Sequence, residues 1–221
     1  MVFSTAPNIA LAQDGHRYVL KGPDPAIVFA EVACYLLAAE AGIPVPEWGI
    51  CHLAAAATMH FASRYKNWRS VEPLIGAGKA SNPGLVADVV PFDLWVHNVD
   101  RNVQNFVAEF EQGARTATLY AIDFEKSRAF RGTSALQLPM IDAKNCWPRD
   151  ALLPLVRKSP VPIAMARKIQ RTMTLDRIRG LLEPVLLQVP APQGFKLDLI
   201  CNYLASRTSE LEGLTKEAWN G

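Results

Sequence analysis

The chain has 221 residues, of which half are hydrophobic and a fifth are charged, and its formal net charge is +2. This composition predicts an ordinary globular protein, long enough for one sizeable domain or two small lobes. The small charge, with no basic stripe interleaved with aromatic residues, argues against direct nucleic-acid binding. No apolar run is long enough to suggest a membrane-spanning helix.

The amino terminus and the cysteines favour a cytoplasmic protein. Residues 1–7 lack the positive segment and long apolar core of a secretory signal. The four cysteines are widely scattered and form no Cys-x-x-Cys pair, so neither a zinc site nor a disulfide framework is indicated. We therefore expect reduced thiols in a cytoplasmic compartment.

The first part of the chain predicts a β-hairpin followed by a helix. Residues 8–12 and 17–21 are short apolar-rich segments on either side of an Asp-Gly turn. Residues 26–41 carry apolar side chains at helical spacing and end at a glycine. Lys21 ends the second strand and Glu31 lies early in the helix, so the lysine could reach nucleotide phosphates while the glutamate fixes it. In the alternative interpretation, both are solvated charges and the helix dipole favours Glu31.

A second strand pair and a connector complete the predicted first lobe. Residues 51–53 and 58–64 are predicted to close a small antiparallel sheet, and residues 65–84 to form a connector with at most a short helix. We place the boundary here, which gives a reduced amino-terminal lobe over residues 1–64 and a helical carboxy-terminal lobe over residues 65–221.

A polar loop at residues 97–105 carries the main functional signal. It follows an apolar helix predicted over Val86 to Val96, and its Asp100 and Asn105 lie five positions apart. Asp123 follows a predicted hairpin that turns near residues 111–113. Phosphoryl transfer needs one carboxylate to accept the proton of the attacking hydroxyl, and an amide oxygen with a second carboxylate to hold Mg²⁺. A capped, solvated loop is the alternative, but the ordered set favours a nucleotide and metal site.

Three further helical segments are predicted in the carboxy-terminal half. They cover residues 149–156, residues 163–187 with interruptions at Gly180 and Pro184, and residues 196–214.

These motifs together resemble the HipA-like kinases, and more narrowly their small stand-alone bacterial group with a reduced amino-terminal lobe. The resemblance covers about residues 5–130. It is carried by Tyr18-Val19-Leu20-Lys21-Gly22, Gly42-Ile43-Pro44-Val45-Pro46, the Asp100-Arg101 to Asn105 loop and Ile122-Asp123-Phe124. It implies an α+β, two-lobed protein-kinase-like fold with a small antiparallel-sheet amino-terminal lobe and a mainly helical carboxy-terminal lobe.

The resemblance also implies ATP and Mg²⁺ as cofactors and transfer of the γ-phosphate to a Ser or Thr hydroxyl of a protein. The implied catalytic residues are Asp100 as base, Lys21 as phosphate anchor and Arg101, which would tie the loop to a neighbouring carboxylate. The implied metal ligands are Asn105 and Asp123. The implied nucleotide-binding residues are Lys21, its ion-pair partner Glu31, and Phe61, Ala62, Ser63 and Arg64, whose backbone would contact adenine.

The chain departs from the family pattern at two places. No G-x-G-x-x-G motif is present, so only the segment that contains Ser4 and Thr5 could cover the phosphates. Glu125 replaces the glycine that usually follows the Asp-Phe pair.

Two alternative functions stay open at this point. One is a nucleotide-binding pseudokinase that acts as an interaction module. The other is a kinase of the same fold with a small-molecule acceptor, which is disfavoured because Lys126, Arg128 and Arg131 would repel a cationic substrate. The sequence names neither the acceptor nor the antitoxin-like protein partner that the resemblance allows.

Overall fold

The computed structural model describes residues 8–131, 149–156 and 159–220. It begins with a small antiparallel sheet and one helix, as predicted. The elements are β1 (Asn8–Leu11), β2 (Arg17–Lys21), α1 (Pro25–Ala41), β3 (Trp48–Leu53) and β4 (Thr58–Tyr65). The strand order is β1-β2-β4-β3, and neighbouring strands are antiparallel.

Local sequence signals explain the limits of α1. The Asp24 side chain accepts a hydrogen bond from the backbone of Ala26, and Pro25 occupies the first turn, where its missing N–H is not needed. Gly42 ends the helix in the left-handed region with φ 79°, which is strained for any residue with a β-carbon. The helix then packs against β4 and the carboxy-terminal helices.

The middle of the chain forms the central helix and a hairpin. These elements are α2 (Val71–Gly76), α3 (Leu85–Val96), β5 (Phe106–Glu109) and β6 (Thr118–Ala121). Every residue of α3 except Asp88 is buried. At the end of α3, His97 adopts a left-handed conformation with φ 56° and turns the chain into the polar loop. β5 and β6 pair in antiparallel fashion, so the loop and Asp123 are held at one end of the hairpin.

Five helices follow in the described carboxy-terminal residues. They are α4 (Arg149–Val156), α5 (Ile163–Thr172), α6 (Leu175–Leu186), α7 (Leu197–Thr208) and α8 (Leu211–Asn220). The predicted interruptions of the 163–187 segment at Gly180 and Pro184 are misplaced, and the segment predicted over residues 196–214 is divided between two helices. The 163–187 segment breaks at Thr174, whose hydroxyl accepts from the backbone of Arg177 and so starts a new helix. Gly180 and Pro184 lie inside α6.

None of the helices in the described residues is both long and apolar enough to cross a membrane.

Candidate active site

Lys21, at the end of β2, lies among three carboxylates that come from distant parts of the chain. Its Nζ donates to Glu31 Oε1 at 2.8 Å, to Glu125 Oε2 at 3.3 Å and to Asp123 Oδ1 in a short contact. We call these four residues the Lys21 cluster. Burial favours the neutral amine, but the three carboxylates outweigh it and raise the pKa of Lys21, so the side chain stays an ammonium.

Glu31 connects this lysine to the segment that follows β6. Its side chain is fully buried within α1, and its Oε1 also accepts from the backbone N–H of Phe124 at 3.0 Å. One carboxylate oxygen therefore fixes both the lysine and the chain next to Asp123. This arrangement makes the position of Lys21 depend on contacts between the sheet, α1 and the hairpin.

Asn105 and Asp123 lie next to each other, as a shared metal ion would require. The Nδ2 of Asn105 is 3.5 Å from the backbone oxygen of Asp123, which leaves the amide oxygen of Asn105 available. Asp123 has φ 65°, in the left-handed region, where a non-glycine residue often marks a functional site. An amide oxygen and a carboxylate are ligands that Mg²⁺ prefers, so these two residues fit that ion.

Arg101 is buried beneath the loop and braces it. It forms a two-pronged ion pair with Asp93 of α3, at 2.7 Å and 2.9 Å. Its Nη1 donates to the carbonyl oxygens of Asn105, at 3.1 Å, and Ile122, at 2.6 Å. The predicted tie between the loop and a neighbouring carboxylate is therefore present, and the Arg101 side chain, only 1% exposed, is enclosed by protein. Its contacts make it a positioning residue.

Asp100 shares no hydrogen bond or ion pair with the Lys21 cluster in the described part of the chain. Asp100 is exposed to solvent and lies near the start of the loop. Among the described residues, only its backbone oxygen has a side-chain partner, the amide of Asn102 at 3.2 Å. An open carboxylate on this loop is available to a hydroxyl that approaches from solvent.

A small cavity lies between the sheet and the hairpin, beside Lys21 and Asp123. Its volume is about 20 Å³, room for little more than one water molecule. The residues that line it are Val19, Lys21, Tyr35, Phe61, Ser63, Trp68, Ile122 and Asp123. A larger depression of about 630 Å³ lies on the opposite face of the sheet and contains no charged residue of the cluster. Because Lys21 and Asp123 line the small cavity, it marks the candidate nucleotide site.

Comparison with known proteins identifies the fold. No family model and no curated protein sequence matches the chain. Among solved structures, the Helicobacter pylori proinflammatory kinase CtkA matches with a TM-score of 0.58 at 12% identity, over 97% of this chain and 94% of CtkA. HipA of Shewanella oneidensis, solved with HipB and operator DNA, matches with a TM-score of 0.53 at 12% identity, over 93% of this chain and 60% of HipA. The chain has the fold of the HipA-like kinases.

A third solved structure is also similar to this chain. The N-terminal 618-residue fragment of LepB from Legionella pneumophila matches with a TM-score of 0.55 at 13% identity, over 96% of this chain and 46% of that fragment. Identities this low establish a shared fold and no more. The predicted α+β fold, with its small antiparallel sheet and helical carboxy-terminal part, is confirmed.

Within this HipA-like fold, β4 cannot supply the predicted backbone contacts to adenine. It pairs with β2 over residues 61–64 and with β3 over residues 61–63, and the backbone N–H of Arg64 donates to the carbonyl of Glu47, so its backbone groups face neighbouring chain segments. Side chains alternate along the strand: Phe61 and Ser63 line the small cavity, whereas Ala62 lines the outer depression and Arg64 contacts Glu47. Ser4 and Thr5 lie outside the described residues.

Three residues of the site were missed by sequence reasoning. Glu125 joins the Lys21 cluster, Asp93 anchors Arg101, and Trp68 lines the cavity. Glu125 could have been suspected because it lies only two positions after Asp123. The other two had no local signal, since Asp93 stands in an apolar helix and Trp68 in a polar connector.

Proposed function

We propose that this protein is an ATP- and Mg²⁺-dependent phosphotransferase that transfers the γ-phosphate to a Ser or Thr hydroxyl of a protein. The observation that carries the proposal is the Lys21 cluster, in which β2, α1 and the segment after β6 bring one ammonium to Glu31 and Asp123. Phosphoryl transfer depends on such positioned charges, with little covalent chemistry for the protein itself.

Each residue has a distinct task in this proposal. Lys21 would hold the α- and β-phosphates, and Glu31 would keep the lysine in place. Asn105 and Asp123 would hold Mg²⁺, which when bound neutralises charge on the phosphates. Asp100 would orient the acceptor hydroxyl and take its proton. Arg101 would keep both proposed metal ligands in register through the carbonyls of Asn105 and Ile122.

Isothermal titration of ATP with and without Mg²⁺ tests the binding part of the proposal. We expect metal-dependent binding to the unaltered protein and loss of that dependence in Asp123→Ala. Asp198→Ala is a matched control, because Asp198 pairs with Arg179 in the helical part, outside the cleft. If the unaltered protein binds no nucleotide under either condition, the proposal fails.

Transfer is tested separately with ATP labelled at the γ-phosphate and by intact mass after incubation with ATP. Label that moves to protein in the unaltered chain, and no label moved by Asp100→Ala, would support the kinase. Metal-dependent binding with no transfer to any acceptor would favour the interaction-module alternative.

The partner and compartment are also proposals. The HipA match was solved together with HipB, and we extend this to an antitoxin-like protein partner for the present chain. We further propose a cytoplasmic location, where ATP and Mg²⁺ are available.

A further inference from the structure

Trp68 lines the small cavity together with Lys21 and Asp123. Its side chain packs with Val107 and Ile122 of the hairpin and with Val19 of β2, in a cluster separate from the main core. Its ring also meets Tyr65 edge-on, with 5.4 Å between centroids. Trp68 therefore lies where the sheet, the connector and the hairpin converge, and only 5% of it is exposed.

The indole nitrogen of Trp68 has no hydrogen-bond partner among the described residues. Four buried side-chain polar atoms in the described part of the chain lack one: Glu31 Oε2, Trp68 Nε1, His97 Nδ1 and Asn98 Oδ1. Two of these are acceptors, the histidine nitrogen can be either, and the indole N–H can only donate. An unpaired buried N–H is costly, and native proteins rarely leave one without a reason. This donor belongs to a residue that lines the cavity. We therefore expect a bound ligand to offer it an acceptor atom.

The backbone beside Trp68 is fixed on one side and unpaired on the other. Arg69 exchanges two hydrogen bonds with Ala108 of β5, at 2.9 Å and 3.1 Å, which holds the connector against the hairpin. Residues 66–68 form no backbone–backbone hydrogen bond with the described residues. The connector is therefore held to the hairpin at Arg69, directly after the tryptophan that lines the cavity.

We propose that Trp68 is a base-recognition residue, whose indole N–H donates to a ring nitrogen of a bound purine nucleotide. The proposal rests on the nucleotide binding proposed above. Val19 and Ile122, which line the cavity, would supply apolar contacts for the base, while Lys21, in the same lining, would hold the phosphates. A purine ring is larger than the cavity, so the sheet and the hairpin separate to admit it.

The test is a binding cycle that combines Trp68→Phe with purine analogues. Phenylalanine keeps an aromatic ring and removes the donor. Affinities for Mg-ATP and for its 1-deaza, 3-deaza and 7-deaza analogues, each of which lacks one ring nitrogen, are measured by titration. We expect one analogue to bind the unaltered protein about 3- to 10-fold more weakly than ATP, the effect of one lost hydrogen bond. Trp68→Phe should bind ATP as weakly as that and no longer distinguish the analogue.

The test includes a matched control variant, and three results would contradict the proposal. Trp219→Phe changes the same residue type in α8, outside the cavity lining, and should keep the discrimination of the unaltered protein. If Trp68→Phe retains both the affinity and the discrimination, the base-recognition role is wrong. Trp68→Phe could instead lose affinity for ATP and all three analogues equally and still distinguish ATP from the weaker analogue. In that case Trp68 only supports the fold, and the base-recognition role is again wrong. Failure of the unaltered protein to bind any nucleotide would instead overturn the proposed function and this role with it.

Discussion

The brace formed by Arg101 gives the sharpest prediction about stability. Replacing Arg101 by methionine removes the charge but retains much of the side-chain volume. Asp93, which is 1% exposed, would then keep only the amide of Asn98 as a side-chain donor, at 3.0 Å. The carbonyl oxygens of Asn105 and Ile122 would each lose a donor as well. The variant therefore leaves a buried carboxylate without its counter-ion.

The expected cost follows from that uncompensated charge. Removing one partner of a buried ion pair lowers the free energy of unfolding by about 3–5 kcal/mol. For a chain of this size each kcal/mol shifts the melting temperature by about 2–4 °C, so we expect a decrease of roughly 6–20 °C. Contacts of the guanidinium with the Phe124 ring, 4.6 Å from its centroid, add to the loss.

Urea denaturation followed by tryptophan fluorescence measures this change. A second variant, Arg101→Met with Asp93→Leu, removes both charges and should recover most of the stability, because an apolar pair can replace a buried ion pair at little cost. If Arg101→Met lowers the free energy of unfolding by less than about 1 kcal/mol, or if the double variant is as unstable as the single one, then Arg101 does not brace the loop.

Three further variants test the loop and the cluster. Asp100→Asn should reduce transfer at least about 100-fold, the usual contribution of a general base, and leave the Kd for Mg-ATP unchanged in titrations; full activity would exclude Asp100 as the base. Glu125→Gln removes a negative charge that competes for Lys21, so nucleotide affinity by titration should rise roughly tenfold; weaker binding would instead indicate that Glu125 is a metal ligand. Burial lowers the pKa of His97 from 6.5 to about 4, so the folded state disfavours protonation, and stability should be complete above pH 6.5 and fall by up to about 2–3 kcal/mol towards pH 4. Asparagine tolerates the left-handed backbone at this position, so a His97→Asn melting curve that kept the same pH dependence would refute the role of His97.

Local signals in the sequence were sufficient for the fold. The Asp-Gly turn, the alternation in the strands and the glycine after α1 each specify their element from neighbouring residues alone. The same kind of signal was ambiguous in the carboxy-terminal half. An amphipathic pattern continues through residue 174, and only the cap formed by Thr174 separates α5 from α6. Apolar periodicity does not report such a break.

The errors within the candidate site have a different origin. Whether the backbone of β4 is free depends on strand order, and β2 lies beside β4 although α1 and β3 separate them in the sequence. Arg101 was correctly predicted to contact a carboxylate, but the sequence offers several and did not indicate that Asp93 is the partner. Glu125 reaches Lys21 across 104 positions. Each error concerns a contact between elements, which a single sequence does not specify.

Because of the net charge of the Lys21 cluster, we expect binding of the proposed nucleotide to depend on the proposed metal ion. One ammonium faces three carboxylates within hydrogen-bond reach, so the cluster carries an excess of negative charge. A nucleotide triphosphate brought there alone would be repelled by Asp123 and Glu125, and it could reach Lys21 only by displacing them. If Asp123 and Asn105 held a divalent cation, its charge would remove much of that repulsion and leave the Lys21 ammonium to the phosphates. The arrangement therefore favours joint entry of metal and nucleotide.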